Sequence, residues 1–395
     1  MTGTRTGRRG STTVWADIDL HALGRNLELL RRSLPSGQAV FGVVKADAYG
    51  HGIGPVGRAL QRFGIDGLVT ADMGEGIALR RAGVTAPILV IDPPLPSQLR
   101  LPALHRLSAT VTSVAEARAL ATAANRAGRT VGVHVRVDTG FGGFGAPEPG
   151  LTDVLAAVST AAALRLEGLY THLSGSYGPY EDGGLTELER FGEAVGTART
   201  AGLLPPLVHA LSSPALERPV LTEAASRIGC TALRCGAALF GIRMAGGPGD
   251  ATTPLAPVMS VKTRVARVTA LEPGDVADYA ASCPAARRIP VAVLPFGFSD
   301  GHHLNRLAGG VLLIRGQPAP ILGRAFMSSL LADLTDIPGV QPGDEAVLIG
   351  RQGDHRITPE DIAARSGLRP SAVPLLGPRV ARRYRSNIAE EDRKQ

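Results

Sequence analysis

Short apolar runs alternate with amphipathic stretches over the first 240 residues of the chain. The stretches at 54–63, 74–82, 114–127 and 185–201 repeat their apolar positions every three to four residues, which is typical of helices. Alternating strands and helices predict a parallel sheet covered on both faces. Eight apolar runs predict a closed (β/α)8 barrel; an open, doubly wound sheet is the alternative, although no GxGxxG follows the first run. The predicted barrel strands are 39–45, 67–71, 88–91, 109–111, 132–138, 166–172, 207–212 and 233–240.

The pattern changes after residue 245. A Gly-, Pro- and Thr-rich stretch at 246–254 predicts a linker, and a helix at 359–365 follows Thr358, a favourable N-cap. Alternating runs separated by Pro-Gly turns predict a second, mainly β domain. Its predicted strands are 258–268, 289–294, 311–314, 330–334 and 346–349. We therefore expect a tail (1–13), a barrel (14–245), a β-rich domain (255–386) and a tail (387–395), with the early strand 12–20 pairing in the β-rich domain.

Composition excludes several classes of protein. Hydrophobic residues form 44% of the 395 residues, which allows a large core, yet no run is long and apolar enough to span a membrane or to serve as a secretory signal. The three cysteines lack zinc spacing, so we expect reduced thiols, no metal and a cytoplasmic location. The net charge of +7 lies partly in the tails and aromatics are only 4%, which argues against nucleic-acid binding.

Lysine is rare in this chain, which otherwise uses arginine as its cation. Only Lys45, Lys262 and Lys394 occur, and Lys45 ends the first predicted barrel strand. Barrel enzymes place their chemistry at the carboxyl ends of the strands. A lysine in an apolar pocket loses its proton readily and can then attack an aldehyde to form a Schiff base. The alternative is a structural lysine that extends its ammonium group to the rim of the barrel.

Polar residues also lie near the ends of the sixth, seventh and eighth predicted strands. They are His172, Ser213, and Arg234 with Gly236. Loops after the last two strands of a barrel often bind phosphate, and glycine lets backbone N–H groups approach an anion. Arginine is a known partner of the pyridine nitrogen of pyridoxal phosphate. Each residue alone has a structural explanation, a rim histidine or a salt-bridged arginine, but together with Lys45 they predict a pyridoxal phosphate site.

Several motifs resemble those of the alanine racemase family, which are fold-type III pyridoxal-phosphate enzymes. Residues 44–52, Val-Lys-Ala-Asp-Ala-Tyr-Gly-His-Gly, resemble the family's highly specific cofactor-lysine motif. The resemblance runs over residues 15–384 and implies a barrel followed by a mainly β domain. It also implies a head-to-tail homodimer, in which the partner's C-terminal domain completes each site. The other matching segments are 136–140, 171–173, 234–241, 258–262, 323–324 and 378–380.

The resemblance assigns six residues to the cofactor. They are Lys45, as its covalent link and one Cα base, Tyr49, Ser213 and Gly236 at the phosphate, His172 against the ring, and Arg234 at the pyridine nitrogen.

The substrate side departs from the family pattern. The family's second base is the tyrosine of a Gly-Tyr-Ala-Asp-Gly motif, but residues 297–301 read Gly-Phe-Ser-Asp-Gly, and Phe298 has no proton to exchange. The arginine that supports this tyrosine and the substrate carboxylate is replaced by Gly143.

Further departures and one retained feature lie beside these two. Arg136 stands where the family has an often carbamylated lysine, and it is a candidate substrate-binding residue. Met327 is retained and implies a backbone contact to the substrate carboxylate, made from the other subunit, but Ser328 replaces the aspartate that follows it. Ser371 matches a gate tyrosine.

Loss of the tyrosine leaves the reaction open. Racemisation by two bases needs a proton donor and an acceptor on opposite faces of Cα, and each group supplies about 10²–10⁴ in rate. His302 and His303 are the preferred substitutes because imidazole titrates near neutral pH, and Cys283 and Tyr279 are further candidates. A second possibility is that Lys45 acts alone. We expect a racemase-like enzyme that acts at Cα of an amino acid. The alternatives are other chemistry (decarboxylation, aldol cleavage or one-face proton transfer) and a cofactor-binding protein without turnover.

Overall fold

The structure, a computed structural model, describes residues 12–35, 37–180, 182–244, 255–279, 284–301 and 309–385. The predicted linker at 246–254, the tail at 387–395, most of the tail at 1–13, and the candidates Cys283, His302 and His303 lie outside the described residues. The chain divides into two compact units, Leu23–Ala256 and the combination of Met1–Ala22 with Pro257–Gln395.

The first strand, β1 (Val14–Asp19), belongs to the second of these units, and the next eight strands build the first. Strands β2 to β8 pair in chain order, all in parallel, and β9 pairs with β2. The N–H groups of Thr231 and Arg234 donate to carbonyls that follow or belong to β8, over 2.8 and 3.1 Å. The sheet therefore nearly closes, which confirms the predicted barrel. The strands are β2 (Ala39–Val43), β3 (Gly67–Thr70), β4 (Ile88–Val90), β5 (Ser108–Val111), β6 (Val131–Arg136), β7 (Leu164–Tyr170), β8 (Leu207–His209) and β9 (Ala232–Cys235).

Helices connect these strands, as parallel pairing requires. The four helices predicted at 54–63, 74–82, 114–127 and 185–201 are confirmed to within one residue at each end. Asp72 and Ser113 begin two of them by accepting hydrogen bonds from the N–H groups three residues later. The helices are Leu20–Arg32, Ile53–Arg62, Met73–Arg81, Leu101–His105, Val114–Arg126, Leu151–Ser159, Leu185–Thr200 and Pro219–Ile228. None of the described helices is long and apolar enough to cross a membrane.

The second unit is a ten-stranded sheet in which β1 pairs antiparallel with β10 and parallel with β18. Its helix, Pro359–Ser366, is capped by Thr358 as predicted. Its other strands are β10 (Met259–Arg264), β11 (Arg267–Leu271), β12 (Ile289–Leu294), β13 (Val311–Ile314), β14 (Gln317–Leu322), β15 (Leu330–Asp333), β16 (Glu345–Gln352), β17 (His355–Ile357) and β18 (Ala381–Arg385).

Two details of the sequence prediction for this sheet are wrong. The run at 258–268 is two strands, because the chain changes partners at Val265: β10 pairs with β16, and β11 pairs with β12. Strands β14, β17 and β18 were not predicted. Pro318 and Pro320 obscure β14, since proline is uncommon within strands.

Candidate active site

The chain turns sharply at the carboxyl end of β2, where Lys45 lies. Ala46, Asp47, Ala48 and Tyr49 all have φ between 53° and 55°, so they form a left-handed helical turn without glycine. Each residue in this conformation costs about 1–2 kcal/mol. Such strain persists where surrounding contacts enforce it, and it occurs often at functional sites.

The contacts that hold this turn come from its own residues and from two helices. The Asp47 carboxylate accepts the N–H of Ile53 over 2.8 Å, and the Asp47 N–H donates to Glu75 over 3.2 Å. His51 is fully buried, and its Nδ1 donates to the carbonyls of Ala48 and Tyr49 over 3.0 and 2.9 Å. The turn fixes the backbone between Lys45 and Tyr49, and His51 supports it through two carbonyls, a contact that the sequence did not reveal.

A corner rich in hydrogen-bond donors lies beside Tyr49. The hydroxyl of Ser213 accepts the N–H groups of Gly236 and Ala238 over 3.1 and 3.3 Å. A Cβ on Gly236 would lie 2.4 Å from the phenol oxygen of Tyr49, so only glycine fits there. Burial raises the pKa of Tyr49, with smaller contributions from Tyr177 and Cys235, so its hydroxyl stays protonated. The two N–H groups thus hold the oxygen of Ser213 beside the phenol of Tyr49, and the two hydroxyls can donate to an anion such as a phosphate.

His172 follows β7 and is half-buried. Burial, followed by the positive charges of Arg234, Lys45 and Arg136, lowers the pKa of His172 to about 3. The imidazole is therefore neutral at physiological pH. Its ring centre lies 5.6 Å from that of Tyr177 and packs edge-on against Phe141, so it offers an uncharged flat surface near Lys45.

Arg234 lies in β9, and its side chain is buried at the same carboxyl end of the barrel. Its Nη atoms donate to the carbonyls of Thr171, His209 and Ala210 and to Nδ1 of His209, the last over 2.6 Å. The guanidinium also lies 5.0 Å from the ring centre of Tyr170. Burial lowers the pKa of Arg234 to about 10, so it remains a cation at neutral pH. Among the described residues, none of its hydrogen-bond partners is a carboxylate.

Arg136, the last residue of β6, is a second buried cation, with 8% of its surface exposed. Its guanidinium lies 5.2 Å from the ring centre of Phe144 and about 6 Å from those of Phe141 and Tyr170. Within the described parts of the chain it makes no hydrogen bond or ion pair with a side chain. It can therefore accept an anionic ligand.

The loop after β6 explains how Gly143 is accommodated. Asp138 accepts the N–H groups of Gly140 and Gly143 over 2.9 and 3.0 Å, which folds the loop back on the strand end. Gly143 has φ of +79°, a conformation that favours glycine, although nothing lies within 4 Å of where its Cβ would be.

The remaining predicted site residues lie in the second unit. The N–H of Phe298 donates to the carbonyl of Phe326, and the N–H of Ser299 donates to that of Met327, both over 3.0 Å. These contacts bring half-buried Phe298 beside Met327, which is 58% exposed. Tyr279, 77% exposed, packs edge-on against Phe326 with ring centres 4.8 Å apart. Among the four candidate substitutes for the missing tyrosine, Tyr279 alone belongs to the described residues.

Asp300 holds the loop that carries Phe298. It is fully buried, accepts the N–H of Gly297, and receives two hydrogen bonds from Arg379 over 2.9 and 2.7 Å. The substitution at 298 therefore lies in a loop with well-defined support.

Comparison with known proteins identifies the family. The family profile described as "Alanine racemase, N-terminal domain" matches residues 18–244, and that described as "Alanine racemase, C-terminal domain" matches residues 258–384. An alanine racemase of Sorangium cellulosum is 36% identical over 383 residues, 94% of this chain and 98% of the relative.

Solved structures agree in fold. An alanine racemase from D-cycloserine producing Streptomyces lavendulae superposes with a TM-score of 0.87 at 28% identity, covering 97% of this chain and 99% of its own. A histidine racemase from Leuconostoc mesenteroides superposes with a TM-score of 0.85 at 24% identity, covering 96% of this chain and all of its own, and it shares the fold. The profile matches cover both units and include Lys45 and its left-handed turn, and the chain belongs to the alanine racemase family.

Proposed function

We propose that this chain is a pyridoxal-phosphate-dependent, racemase-like enzyme that acts at Cα of an amino acid. The observation that carries the proposal is the convergence at one end of the barrel of a lysine, an anion-binding corner, a neutral histidine and a buried arginine. The corner formed by Tyr49, Ser213 and Gly236 fits a phosphate, since Gly236 brings its backbone close to two hydroxyls and a Cβ there would lie 2.4 Å from the Tyr49 oxygen. When bound, pyridoxal phosphate acts as an electron sink for bond breaking at Cα.

Each of the site residues has a separate proposed role toward pyridoxal phosphate. The hydroxyls of Tyr49 and Ser213 would hold the phosphate, with the backbone N–H groups at 236 and 238 fixing the Ser213 oxygen. Arg234 would hold the pyridine nitrogen without protonating it, because a guanidinium cannot supply a proton at neutral pH. His172 would supply a neutral ring against the cofactor. Lys45 is the covalent attachment point, and its Nζ accepts or returns the proton of Cα on its own face.

Arg136 is proposed as the receptor for the substrate carboxylate. It is a buried cation without a carboxylate partner among the described residues, and the family arginine is absent because Gly143 occupies that position. A guanidinium binds a carboxylate through two parallel hydrogen bonds. Arg136→Gln should therefore raise KM for amino acids while leaving cofactor binding intact.

The cofactor bond is tested by chemical mapping. The purified protein, treated with borohydride and digested, should carry a pyridoxyl group on Lys45. The matched control is Lys262→Arg, since Lys262 pairs with Glu345 over 3.0 Å in β10 and β16 and has no role at the mouth of the barrel. The control should label as the parent does, whereas Lys45→Arg should not label. An adduct on Lys262 or Lys394, or no adduct, would refute the proposal.

A non-racemase outcome is the second candidate, and Phe298 favours it. The face of Cα opposite Lys45 lacks the family's phenol, so a proton must come from a substitute such as Tyr279, His302 or His303, or not arrive. Amino acids incubated in heavy water separate the cases when the products are analysed by chiral chromatography. Exchange with loss of optical purity indicates racemisation, and exchange with retention indicates transfer on one face. Carbon dioxide or aldehyde release indicates decarboxylation or aldol cleavage.

We also propose a head-to-tail homodimer in which Phe298 and Met327 complete the partner's site. The family resemblance suggests it, and the exposed apolar side chains of Met327 and Tyr279 support it, since such groups often mark interfaces. Sedimentation should show a dimer, and mixing Lys45→Ala with Met327→Asp subunits should restore activity in one site of each hybrid. A fully active monomer would refute this arrangement.

A further inference from the structure

The barrel interior contains a row of polar side chains that the proposed chemistry does not use. His209 in β8 and His134 in β6 are 0% and 2% exposed, in strand positions that otherwise hold apolar residues. Nδ1 of His209 lies 2.6 Å from the Arg234 guanidinium, and its Nε2 lies 3.0 Å from Nδ1 of His134. Nε2 of His134 lies 3.7 Å from the Glu167 carboxylate, which is beyond hydrogen-bond distance but close enough for a favourable charge interaction. The row therefore links the carboxyl end of the barrel with Glu167.

The protons along this row have only one consistent arrangement. A guanidinium has no acceptor, so Nδ1 of His209 must accept and be unprotonated. Burial and the charge of Arg234 lower the pKa of His209, so the ring is neutral and its proton lies on Nε2. Nδ1 of His134 must then accept that proton's hydrogen bond. Burial lowers the pKa of His134 to about 4 despite Glu167, which leaves its one proton on Nε2, facing the carboxylate.

Two glycines make room for this row. A Cβ on Gly168 would lie 2.1 Å from Nδ1 of His134, and a Cβ on Gly132 would lie 2.1 Å from the Glu167 carboxylate. Aromatic rings fix the imidazole planes: Tyr170 stacks on His209 with ring centres 4.9 Å apart. The backbone and packing are thus adapted to the row at several points.

The far end of the row opens to a cavity at the amino ends of the strands. Glu167 lines this cavity of about 360 Å³ together with Ser108 and Arg165. Its carboxylate accepts the Ser108 hydroxyl over 2.6 Å and Nε of Arg165 over 3.0 Å. The Glu167 carboxylate therefore lies at the edge of this cavity, whereas Arg234 is buried without a carboxylate neighbour among the described residues.

We propose that His209 and His134, with Glu167 beyond them, form a one-directional relay that orients Arg234 and supplies its buried charge with a remote carboxylate. The N–H of His209 donates to His134, and the N–H of His134 faces the Glu167 carboxylate across 3.7 Å, so each imidazole is polarised to become a better acceptor for the group before it. The three residues are positioning residues, since they touch neither substrate nor cofactor. Their value to catalysis rests on the proposed role of Arg234 at the pyridine nitrogen.

Histidine side-chain NMR of the full chain, labelled with ¹⁵N-histidine, tests the relay independently of cofactor chemistry. His134 and His209 should both be neutral and protonated on Nε2. Glu167→Gln should move the Nε2–H proton of His134 upfield and that of His209 by a smaller amount in the same direction. The control Glu116→Gln removes another barrel carboxylate, which binds Thr112, and should move neither.

Ser108→Ala should shift the His134 proton resonance in the opposite direction. This second variant keeps the test valid if Glu167→Gln does not fold. Removing the serine hydroxyl frees a lone pair of Glu167, so the His134 proton should move downfield. A proton on Nδ1 of either histidine, or a His209 signal that is indifferent to both variants, overturns the relay. If the tautomers are as stated but borohydride labels no lysine, the relay stands and the proposed function fails.

A spectroscopic measurement separates positioning from mere stability. With ¹⁵N-pyridoxal phosphate bound, Glu167→Gln should shift the pyridine nitrogen resonance, whereas Glu116→Gln should not. An unchanged resonance would mean that the relay ends at Arg234 without influencing the cofactor, and it would overturn the positioning role.

Discussion

Gly236→Ala is the sharpest test of the phosphate corner. The added Cβ would lie 2.4 Å from the oxygen, 3.0 Å from Cζ and 3.2 Å from Cε2 of the Tyr49 phenol. The phenol must therefore move by about 1 Å to reach ordinary contact distance. It cannot simply swing away, because its ring packs against Phe240 with ring centres 5.2 Å apart and its backbone belongs to the left-handed turn.

The magnitude follows from this crowding. Adding a methyl group to a well-packed site costs about 1–3 kcal/mol. If the cost falls on the bound state, the dissociation constant of pyridoxal phosphate should rise about 5- to 150-fold, at about 1.4 kcal/mol per tenfold. Binding of pyridoxal, which lacks the phosphate, should change much less.

The assay is titration of the unliganded protein with each compound, followed by absorbance. Gly196→Ala is the matched control: Gly196 lies inside the helix Leu185–Thr200, and nothing lies within 4 Å of its added Cβ. That variant should bind as the parent does and gain up to about 1 kcal/mol of stability. Parent-like affinity in Gly236→Ala, or an equal loss for both compounds, would show that Tyr49 and Gly236 do not enclose the phosphate.

Three further predictions concern the barrel. Because burial lowers the pKa of His134 to about 4, the unfolded chain protonates this residue more readily than the folded chain does; the free energy of unfolding in urea should fall below pH 6.5, and about 1–2 kcal/mol of the fall at pH 5 should disappear in His134→Gln, the lowered pKa values of His172 and His209 accounting for more of it. Gly168→Ala should displace His134, lower the melting temperature and abolish the His209–His134 coupling in NMR spectra; unchanged spectra would contradict the relay. Gly143→Arg should cost about 1–2 kcal/mol because φ is +79°, and Phe298→Tyr added to it should recover little alanine racemisation, measured as initial rates; efficient recovery would mean that the loop adapts freely.

The sequence predicts the barrel well because its signal is periodic. Eight buried strands and the four predicted helices each have a repeat that tertiary contacts reinforce. Strand β14 escapes prediction because its pairing overrides two unfavourable prolines. The chain divides into β10 and β11 because the two strands pair with different partners, β16 and β12. Both partners are distant in sequence, so the local pattern cannot predict the division.

The candidate site is predictable only in part. Lys45, His172 and Arg234 stand at strand ends, where barrel geometry directs attention. The left-handed turn is not predictable, because Ala46, Asp47 and Ala48 individually disfavour it and only tertiary contacts impose it. His134 and the other relay residues lie within strands, away from the strand ends. The sequence signal for them is a polar residue inside an otherwise apolar run.

If Arg136 receives the substrate carboxylate, as we propose, the substrate-side departures form one coupled change in how that carboxylate is held. By resemblance, the family pattern has a lysine near the end of the fifth predicted barrel strand, which is β6 of the structure, and an arginine in the following loop. Here the guanidinium is at the strand end, as Arg136, packed against three aromatic rings. The loop position has become Gly143, in a backbone conformation that disfavours a side chain. An arginine restored there would strain the loop and place a second guanidinium in the loop that follows Arg136. Phe298 fits the same change, since the family resemblance implies that the phenol it replaces is supported by that arginine. Reversal therefore requires positions 136, 143 and 298 to change together.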